Sequence, residues 1–292
     1  MNWAASVSRT CCDPLGRLAV NPTIAFCSWS LRPADAAEVV HAAQEIGVAN
    51  VQLALDPLRR GDWDRRETQR TLREAGIAIC SGMMTMAGED YTTLETIRTT
   101  GGVRPDEHWQ TNLAAARENA DLARELGVDL VTFHAGFIPE SRDDPERAKL
   151  ITRLRTIADI FAQQSVRVAL ETGQETADTL LDALDELDRP AFGVNFDPAN
   201  MILYDRGDPV AALRKLAPRV VQIHIKDAVR TEIQGTWGRD VPVGSGDVDW
   251  PAFFAVLHDA EVSCDLVIER EAGQGRIPDM RAACELIERF LA

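Results

Sequence analysis

The sequence predicts an α/β protein folded as one closed (β/α)8 (TIM) barrel, and three observations carry that prediction. Eight short apolar runs alternate with longer amphipathic stretches from residue 23 onward. Parallel strands can be joined only through a crossover, usually a helix, so eight such units imply a parallel sheet. The chain has 292 residues, more than the roughly 250 that an eight-unit barrel takes, which leaves room for a tail and loop insertions. A doubly wound open sheet is the competing architecture. It loses because no GxGxxG follows the first strand, where a dinucleotide-binding sheet would carry one.

The elements follow in chain order. Residues 1–22, MNWAASVSRTCCDPLGRLAVNP, read as an N-terminal tail lying against the fold. They hold neither a continuous apolar h-region nor a small-residue cleavage site, so no signal peptide is expected and the location is taken as cytoplasmic. Residues 23–292 form the barrel as a single domain. Its strands are expected at 23–28, 50–55, 77–83, 129–134, 167–171, 192–197, 220–226 and 265–269. Helical patterns such as PADAAEVVHAAQEIG, TNLAAARENADLARELG and DPVAALRKLAP lie between them. Several begin beside Asp or Pro and end in Gly, the usual helix start and stop signals. Two strand-to-helix connections are long, 85–106 and 228–249, and the first is expected to carry a short helix of its own. Both follow strands, so both belong on the C-terminal face, where barrel enzymes keep their chemistry and where long loops act as lids.

Composition narrows the partners. The formal net charge is −15, from 46 acidic and 31 basic residues. Such a surface repels phosphate backbones and anionic lipid, so neither nucleic acid nor membrane is an expected partner. No apolar stretch reaches the roughly 18 residues of a membrane span. The six cysteines, at 11, 12, 27, 80, 264 and 284, form no CxxC and read as scattered thiols in a reducing compartment. A homo-oligomer is compatible with a barrel of this kind.

Chemistry concentrates at the ends of the later strands: Glu171 closes VRVALET, Asp197 closes FGVNFD, His224 and Lys226 end VVQIHIK, and Glu269 ends DLVIE. Side chains alternate along a strand. Leu170, Phe196, Ile223, Ile225 and Ile268 should then face the helices, while Glu171, Asp197, His224 and Glu269 face the axis at one end. Three carboxylates and an imidazole cannot share that space without compensating charge. A divalent cation supplies it, and oxygen-rich ligation with one His suits Mn²⁺, Mg²⁺ or Co²⁺, with Zn²⁺ admissible. Pro198 should keep Asp197 extended, holding its carboxylate at the strand end instead of letting it fold into a cap.

Further candidates surround this quartet. His134, at the end of the fourth strand, either polarises a substrate oxygen or is a satisfied core histidine. His41, His108 and His258 fall in helical stretches and read as surface residues. Lys226 and Arg230 either meet a substrate hydroxyl, carboxylate or phosphate or, for Lys226, pair with Asp227 or Glu271. Trp29 and Trp237 either floor a sugar site or pack and anchor loops.

Over residues 23–292 the chain resembles the xylose isomerase-like barrel superfamily, in particular its sugar phosphate isomerase/epimerase branch. ALET at 169–172, NFDPAN at 195–200, HIKD at 224–227 and VIERE at 267–271 carry the resemblance, with GSGDVDW at 244–250 in support. It implies a metal held by Glu171, Asp197, His224 and Glu269, with the two glutamates flanking the substrate and moving its proton through an enediolate. Related ketose 3-epimerases carry an Arg six residues beyond the metal His, which Arg230 matches. They also carry a His three residues after the metal Asp, where this chain has Asn200. That departure counts against ketose 3-epimerase activity specifically. The endonuclease branch of the superfamily uses three zinc ions and several histidines; here only His134 and His224 stand at strand ends. The function expected is therefore a metal-dependent isomerase or epimerase acting on a sugar or sugar phosphate. The alternatives are a lyase, such as a dehydratase of a keto-inositol-like substrate, and a non-catalytic sugar-binding barrel.

Overall fold

The structure, a computed structural model, describes residues 22–233 and 235–291. The expected tail, apart from Pro22, and with it Cys11 and Cys12, lies outside the described residues. The first seven strands are β1 (Ile24–Cys27), β2 (Asn50–Ala54), β3 (Ala78–Met83), β4 (Leu130–Phe133), β5 (Arg167–Glu171), β6 (Phe192–Phe196) and β7 (Val220–Ile225). Two short strands follow, β8 (Asp227–Val229) and β9 (Arg239–Val241), and then β10 (Asp265–Ile268). The eight long-range strands pair in parallel and close a barrel in the order β1-β10-β7-β6-β5-β4-β3-β2. The alternation of runs in the sequence had predicted this fold.

Eleven helices pack around the described barrel: α1 (Ala36–Ile46), α2 (Asp56–Arg60), α3 (Arg65–Glu74), α4 (Leu94–Thr100), α5 (Asp106–Leu126), α6 (Pro145–Gln163), α7 (Ala177–Leu187), α8 (Pro198–Leu203), α9 (Pro209–Leu216), α10 (Trp250–Asp259) and α11 (Arg276–Leu291). Their starts are written locally. Asp35, Asp64, Asp144, Thr176, Asp208 and Asp249 each accept a hydrogen bond from a backbone N–H in the first turn of the helix that follows, satisfying a donor the helix leaves unpaired. Among the described residues no helix is long and apolar enough to cross a membrane. Cys27, Cys80, Cys264 and Cys284 are free thiols.

The strands sort their side chains by parity. Phe26, Leu53, Phe133, Leu170, Phe196, Ile223, Ile225 and Ile268 are buried in the main core with the helices. The opposite parity points into the barrel. There Ala25, Cys27 and Val267 form a small separate cluster, and Gln52, Thr132, Asn195 and Gln222 are fully buried. Barrel interiors are usually filled by branched apolar residues. This one instead has a polar floor under its mouth, with Gln52 Nε2 donating to Thr132 Oγ1 at 2.8 Å and Gln222 Nε2 to Asn195 Oδ1 at 3.3 Å.

Six strands stop one residue earlier than the sequence suggested, at Cys27, Ala54, Phe133, Phe196, Ile225 and Ile268. His134, Asp197, Lys226 and Glu269 therefore stand on the rim, just past the hydrogen-bonded ladder. The 85–106 connection carries α4, as expected. The 228–249 connection differs from a plain loop, because β8 and β9 pair antiparallel, with Asp227 opposite Val241.

The root of that second connection is Asp227, which is 1% exposed. Its carboxylate accepts from the backbone N–H of Ala228 (2.9 Å), Gly244 (2.9 Å), Gly246 (3.1 Å) and Val248 (3.3 Å), and from Trp250 Nε1 (3.0 Å). This explains the GSGDVDW string: a Cβ on Gly246 would lie 2.1 Å from Asp227 Oδ1, so only glycine lets the backbone come this close. Each buried donor left without an acceptor costs about 1–3 kcal/mol. An Asp227→Ala variant should therefore lose about 3 kcal/mol or more in urea unfolding, while His258→Ala, on an exposed helix surface, should stay within about 0.5 kcal/mol of the parent. Equal stability of the two variants would refute the anchoring role.

Candidate metal and substrate site

Glu171, Asp197, His224 and Glu269 come together at the C-terminal mouth, each offering one ligand atom within 4.8 Å of the others. All four are at most 3% exposed. His224 Nδ1 lies 3.5 Å from Glu171 Oε1, 3.4 Å from Glu269 Oε2 and 3.7 Å from Asp197 Oδ2. Its other nitrogen, Nε2, sits 2.8 Å from Gln52 Oε1. Asn195 Nδ2 lies 3.0 Å from the same nitrogen, so two floor residues hold the ring; a cation at Nδ1 would place the hydrogen on Nε2, toward Gln52 Oε1. The polar floor thus positions the histidine above it.

Asp197 corrects one expectation. It is extended, with φ −108° and ψ 109°, as the following proline requires. Yet it is also the N-cap of α8, its Oδ1 accepting from Asn200 N at 2.9 Å. The carboxylate divides its work: Oδ1 caps the helix, and Oδ2 makes no hydrogen bond. His224 Nδ1 is likewise buried without a hydrogen-bond partner. Two orphaned buried atoms that face the same two glutamate oxygens are what a cation site needs, because buried polar atoms are otherwise almost always paired. The donor set of three carboxylates and one imidazole fits a hard or borderline divalent ion.

Electrostatics within the protein alone show the same demand. Burial pushes the Asp197 carboxyl up despite Lys226 beside it. Burial acts the same way on Glu269, but Lys226 and His224 outweigh it and hold this carboxyl well below the usual range. Burial would lower the pKa of His224, yet Cys27, Glu171 and Glu269 around it push it well above the ordinary value. Without a cation, a proton on the imidazole supplies part of the missing positive charge.

A cavity of about 630 Å³ opens over the quartet. Both long connections border it, the first through Thr85, Glu89 and Tyr91 and the second through Trp237, Arg239 and Asp240. Trp29 Nε1 donates to Glu269 Oε1 at 2.6 Å, and Trp237 packs edge-on against Tyr204 at 4.9 Å. Asn200 Nδ2 donates to Glu171 Oε1 at 2.9 Å. His134 Nε2 is 3.5 Å from the same oxygen, and its Nδ1 is buried without a partner. Lys226, 2% exposed, donates to Glu271 Oε2 at 2.5 Å and Glu269 Oε2 at 2.9 Å. Asp227 is not its partner, being occupied by the loop amides.

Arg230 is the candidate that the structure leaves outside. It is exposed, pairs with Asp205 and donates to Gly207 O at 3.4 Å, and it does not line the cavity. Its backbone N–H is tied to Asp247 Oδ2 at 2.8 Å, which fixes the chain where its guanidinium meets Asp205, on the link after α8. Of the other histidines, His41 and His258 are exposed as expected, whereas His108 is half-buried and packs against Gly88.

Some lining residues escaped the sequence reading. Glu89 and Tyr91 lie in a connection without periodicity, and only the closed barrel brings them over the mouth. Asp56 had a signal in LALDP: it opens α2, and its Oδ2 accepts from Thr85 N at 3.0 Å and Thr85 Oγ1 at 2.5 Å, fastening the first lid connection at its root.

The fold and this rim of acids and one histidine define an α/β barrel with a candidate metal site at its mouth. Residues 40–290 match the family model of the xylose isomerase-like TIM barrel, and the chain belongs to that family. A solved structure of a xylose isomerase domain protein from Planctomyces limnophilus is 31% identical, with a TM-score of 0.82 over 92% of this chain and 96% of that one. Among curated proteins, the chain is 28% identical over 153 residues to a 3-oxo-isoapionate decarboxylase of Pectobacterium atrosepticum, covering 51% of this chain and 54% of that protein. It is 36% identical over 87 residues to a 3-dehydroshikimate dehydratase of Bacillus anthracis, covering 28% and 30%. The chain thus spans about half or less of the length of these curated relatives. The D-allulose 3-epimerase of a Methylomonas species, solved with D-allulose, shares the fold at 17% identity and a TM-score of 0.70, covering 92% of this chain and 97% of that one.

If the quartet holds a cation, His224→Ala should abolish stoichiometric Mn²⁺ or Co²⁺ binding, while His258→Ala leaves it intact. Gln52→Leu, which removes one partner of Nε2, should weaken binding about 10–100-fold. Equal metal content in the His224 and His258 variants, measured by elemental analysis, would overturn the assignment.

Proposed function

We propose that this barrel is a metal-dependent isomerase or epimerase of a sugar or sugar phosphate, working by proton transfer beside a carbonyl through an enediolate. One observation carries the reading: Glu171 on β5 and Glu269 after β10 converge on one centre while separate donors orient each. Asn200 holds one oxygen of Glu171, and Asn195 Nδ2 approaches the other at 3.4 Å. Trp29 and Lys226 hold the two oxygens of Glu269. Carboxylates fixed in this way can take a proton from one face of a substrate carbon and return it to the other face or to the neighbouring carbon. A divalent cation held by Glu171, Asp197, His224 and Glu269 would supply Lewis acidity, easing the negative charge that a substrate oxygen gains as the proton leaves.

The remaining groups bind and orient. Lys226, Asn200 and His134 offer polar contacts to hydroxyls, and Trp29 and Trp237 offer flat apolar faces to a sugar ring. Arg230 has no part in this proposal. A second reading, a lyase that expels a hydroxyl from the same enediolate, gains support from Lys226 beside Glu269 and Glu271, a buried ammonium able to protonate a leaving oxygen. The dehydratase and decarboxylase among the relatives support it too. Product analysis separates the readings, since only a dehydratase loses water.

The shared chemistry is tested directly. Metal-loaded protein in D₂O, incubated with a panel of ketoses, should place deuterium beside the carbonyl of those it accepts, as followed by NMR. Glu269→Gln keeps a ligating oxygen but removes the base, so exchange should fall about 10²–10⁴-fold while metal remains bound. Exchange at the parent rate in that variant would sink the two-glutamate mechanism.

A further inference from the structure

A second cavity, of about 320 Å³, lies beside the first and shares no lining residue with it. The wall between them includes Phe137, which packs edge-on against Tyr204 at 5.8 Å. Gly173 also stands there, with φ +137°, where a Cβ would come within 2.5 Å of Asn200 Cβ and 3.0 Å of Tyr204 Cδ2. The loop from Glu171 to Thr176 is therefore pressed against α8, with Glu171 on the metal side and Gln174 on the other.

The second cavity gathers donors that the protein does not use. The guanidinium groups of Arg98 and Arg206 lie 5.5 Å and 5.4 Å from the centre of the same ring, that of Phe137. Neither makes a salt bridge with any described residue, and Arg206 Nε is buried without a hydrogen-bond partner. Gln174, 2% exposed, has neither amide atom in a well-formed hydrogen bond, with the Tyr204 hydroxyl close by. Thr176 brings the N-terminus of the 11-residue α7 to the same wall, a further source of positive potential.

The acids at hand do not neutralise this cluster. Asp144 is turned to cap α6, and Glu140 is exposed. Burial pushes the Glu175 carboxyl up to about 8, with Arg206 pulling weakly the other way; near neutral pH it is largely protonated, a donor more than a counter-ion. Two like-charged guanidiniums on one aromatic ring repel each other, and burial and Arg98 together lower the Arg206 pKa. An anion bound beside both would relieve that repulsion.

We propose that this cavity is a second ligand site, separate from the metal cavity, that takes the phosphate group of a phosphomonoester between Arg98, Arg206 and Gln174. A doubly charged tetrahedral oxyanion matches two guanidinium forks approaching from different directions, where a single carboxylate would use only one. The volume exceeds that of a lone ion and falls at the lower end of small-ligand sites, so the organic part of the ester has room. Free inorganic phosphate shares the recognition chemistry.

Calorimetric titration of the whole protein at constant ionic strength tests this. Inorganic phosphate, glycerol 3-phosphate and glycerol serve as probes, with the divalent metal either chelated or present. Parent protein should bind both phosphates and not glycerol, and glycerol 3-phosphate should bind more tightly if the ester's organic part occupies the cavity. Arg98→Gln and Arg206→Gln should each weaken binding about tenfold or more, and His224→Ala should leave it unchanged. Arg98 is exposed, so its variant keeps the test valid even if Arg206→Gln folds poorly. Three results would each overturn the site: no phosphate binding at millimolar concentration, equal displacement by chloride, or binding lost in His224→Ala but kept in Arg98→Gln. The last would place the phosphate in the metal cavity.

Discussion

Compensating buried negative charge at the barrel mouth is the constraint from which the rest of this structure follows. Glu171, Asp197 and Glu269 are almost fully withdrawn from water, and ionised carboxylates in that setting are sustained only by opposite charge or strong donors. Every neighbour serves that end. Lys226 is buried against Glu269 and Glu271, Trp29 and Asn200 donate to the two glutamates, and Asp197 shares one oxygen with the first turn of α8. What these contacts leave unmet is one central position, faced by His224 Nδ1 and Asp197 Oδ2.

That arrangement needs rigid support from below and from the side. Below, the floor of Gln52, Thr132, Asn195 and Gln222 takes the place of much of the aliphatic filling usual in such barrels, and through Gln52 and Asn195 it holds the ring of His224. At the side, Asp227 gathers four amides and an indole, so the hairpin of β8 and β9 leaves the barrel from a firm root. The loops that roof the cavity thus rest on buried hydrogen bonds at their roots together with apolar anchors such as Ile97, Val103 and Val248 in the main core.

The second cavity shows the opposite imbalance. Around the quartet, acids outnumber cations; around Phe137, two guanidiniums stand without a salt bridge. The two lie on either side of the Glu171–Thr176 loop, so a ligand on one side bears on a segment that carries a residue of the other.

Much of this was legible in the sequence, and the physical reason is parity. Strand side chains alternate, and parallel strands closed by helices present the same end to the same face. The positions of Glu171, Asp197, His224 and Glu269 within their own runs therefore already placed them together on the axis, with Leu170, Phe196, Ile223 and Ile268 facing the helices. Helix starts at Asp35 and Asp208 were equally local facts. Tertiary structure decided whatever depends on one segment meeting a distant one. It sent Lys226 to Glu271 and Asp227 to the glycine loop, turned Arg230 outward to Asp205, and made Asp197 a cap as well as a rim carboxylate. It also brought Glu89 and Tyr91 over the mouth and set Arg98 and Arg206, 108 positions apart in the chain, on one phenyl ring. Periodicity determines which face a residue occupies; only the closed barrel and its packed loops determine which partner waits there.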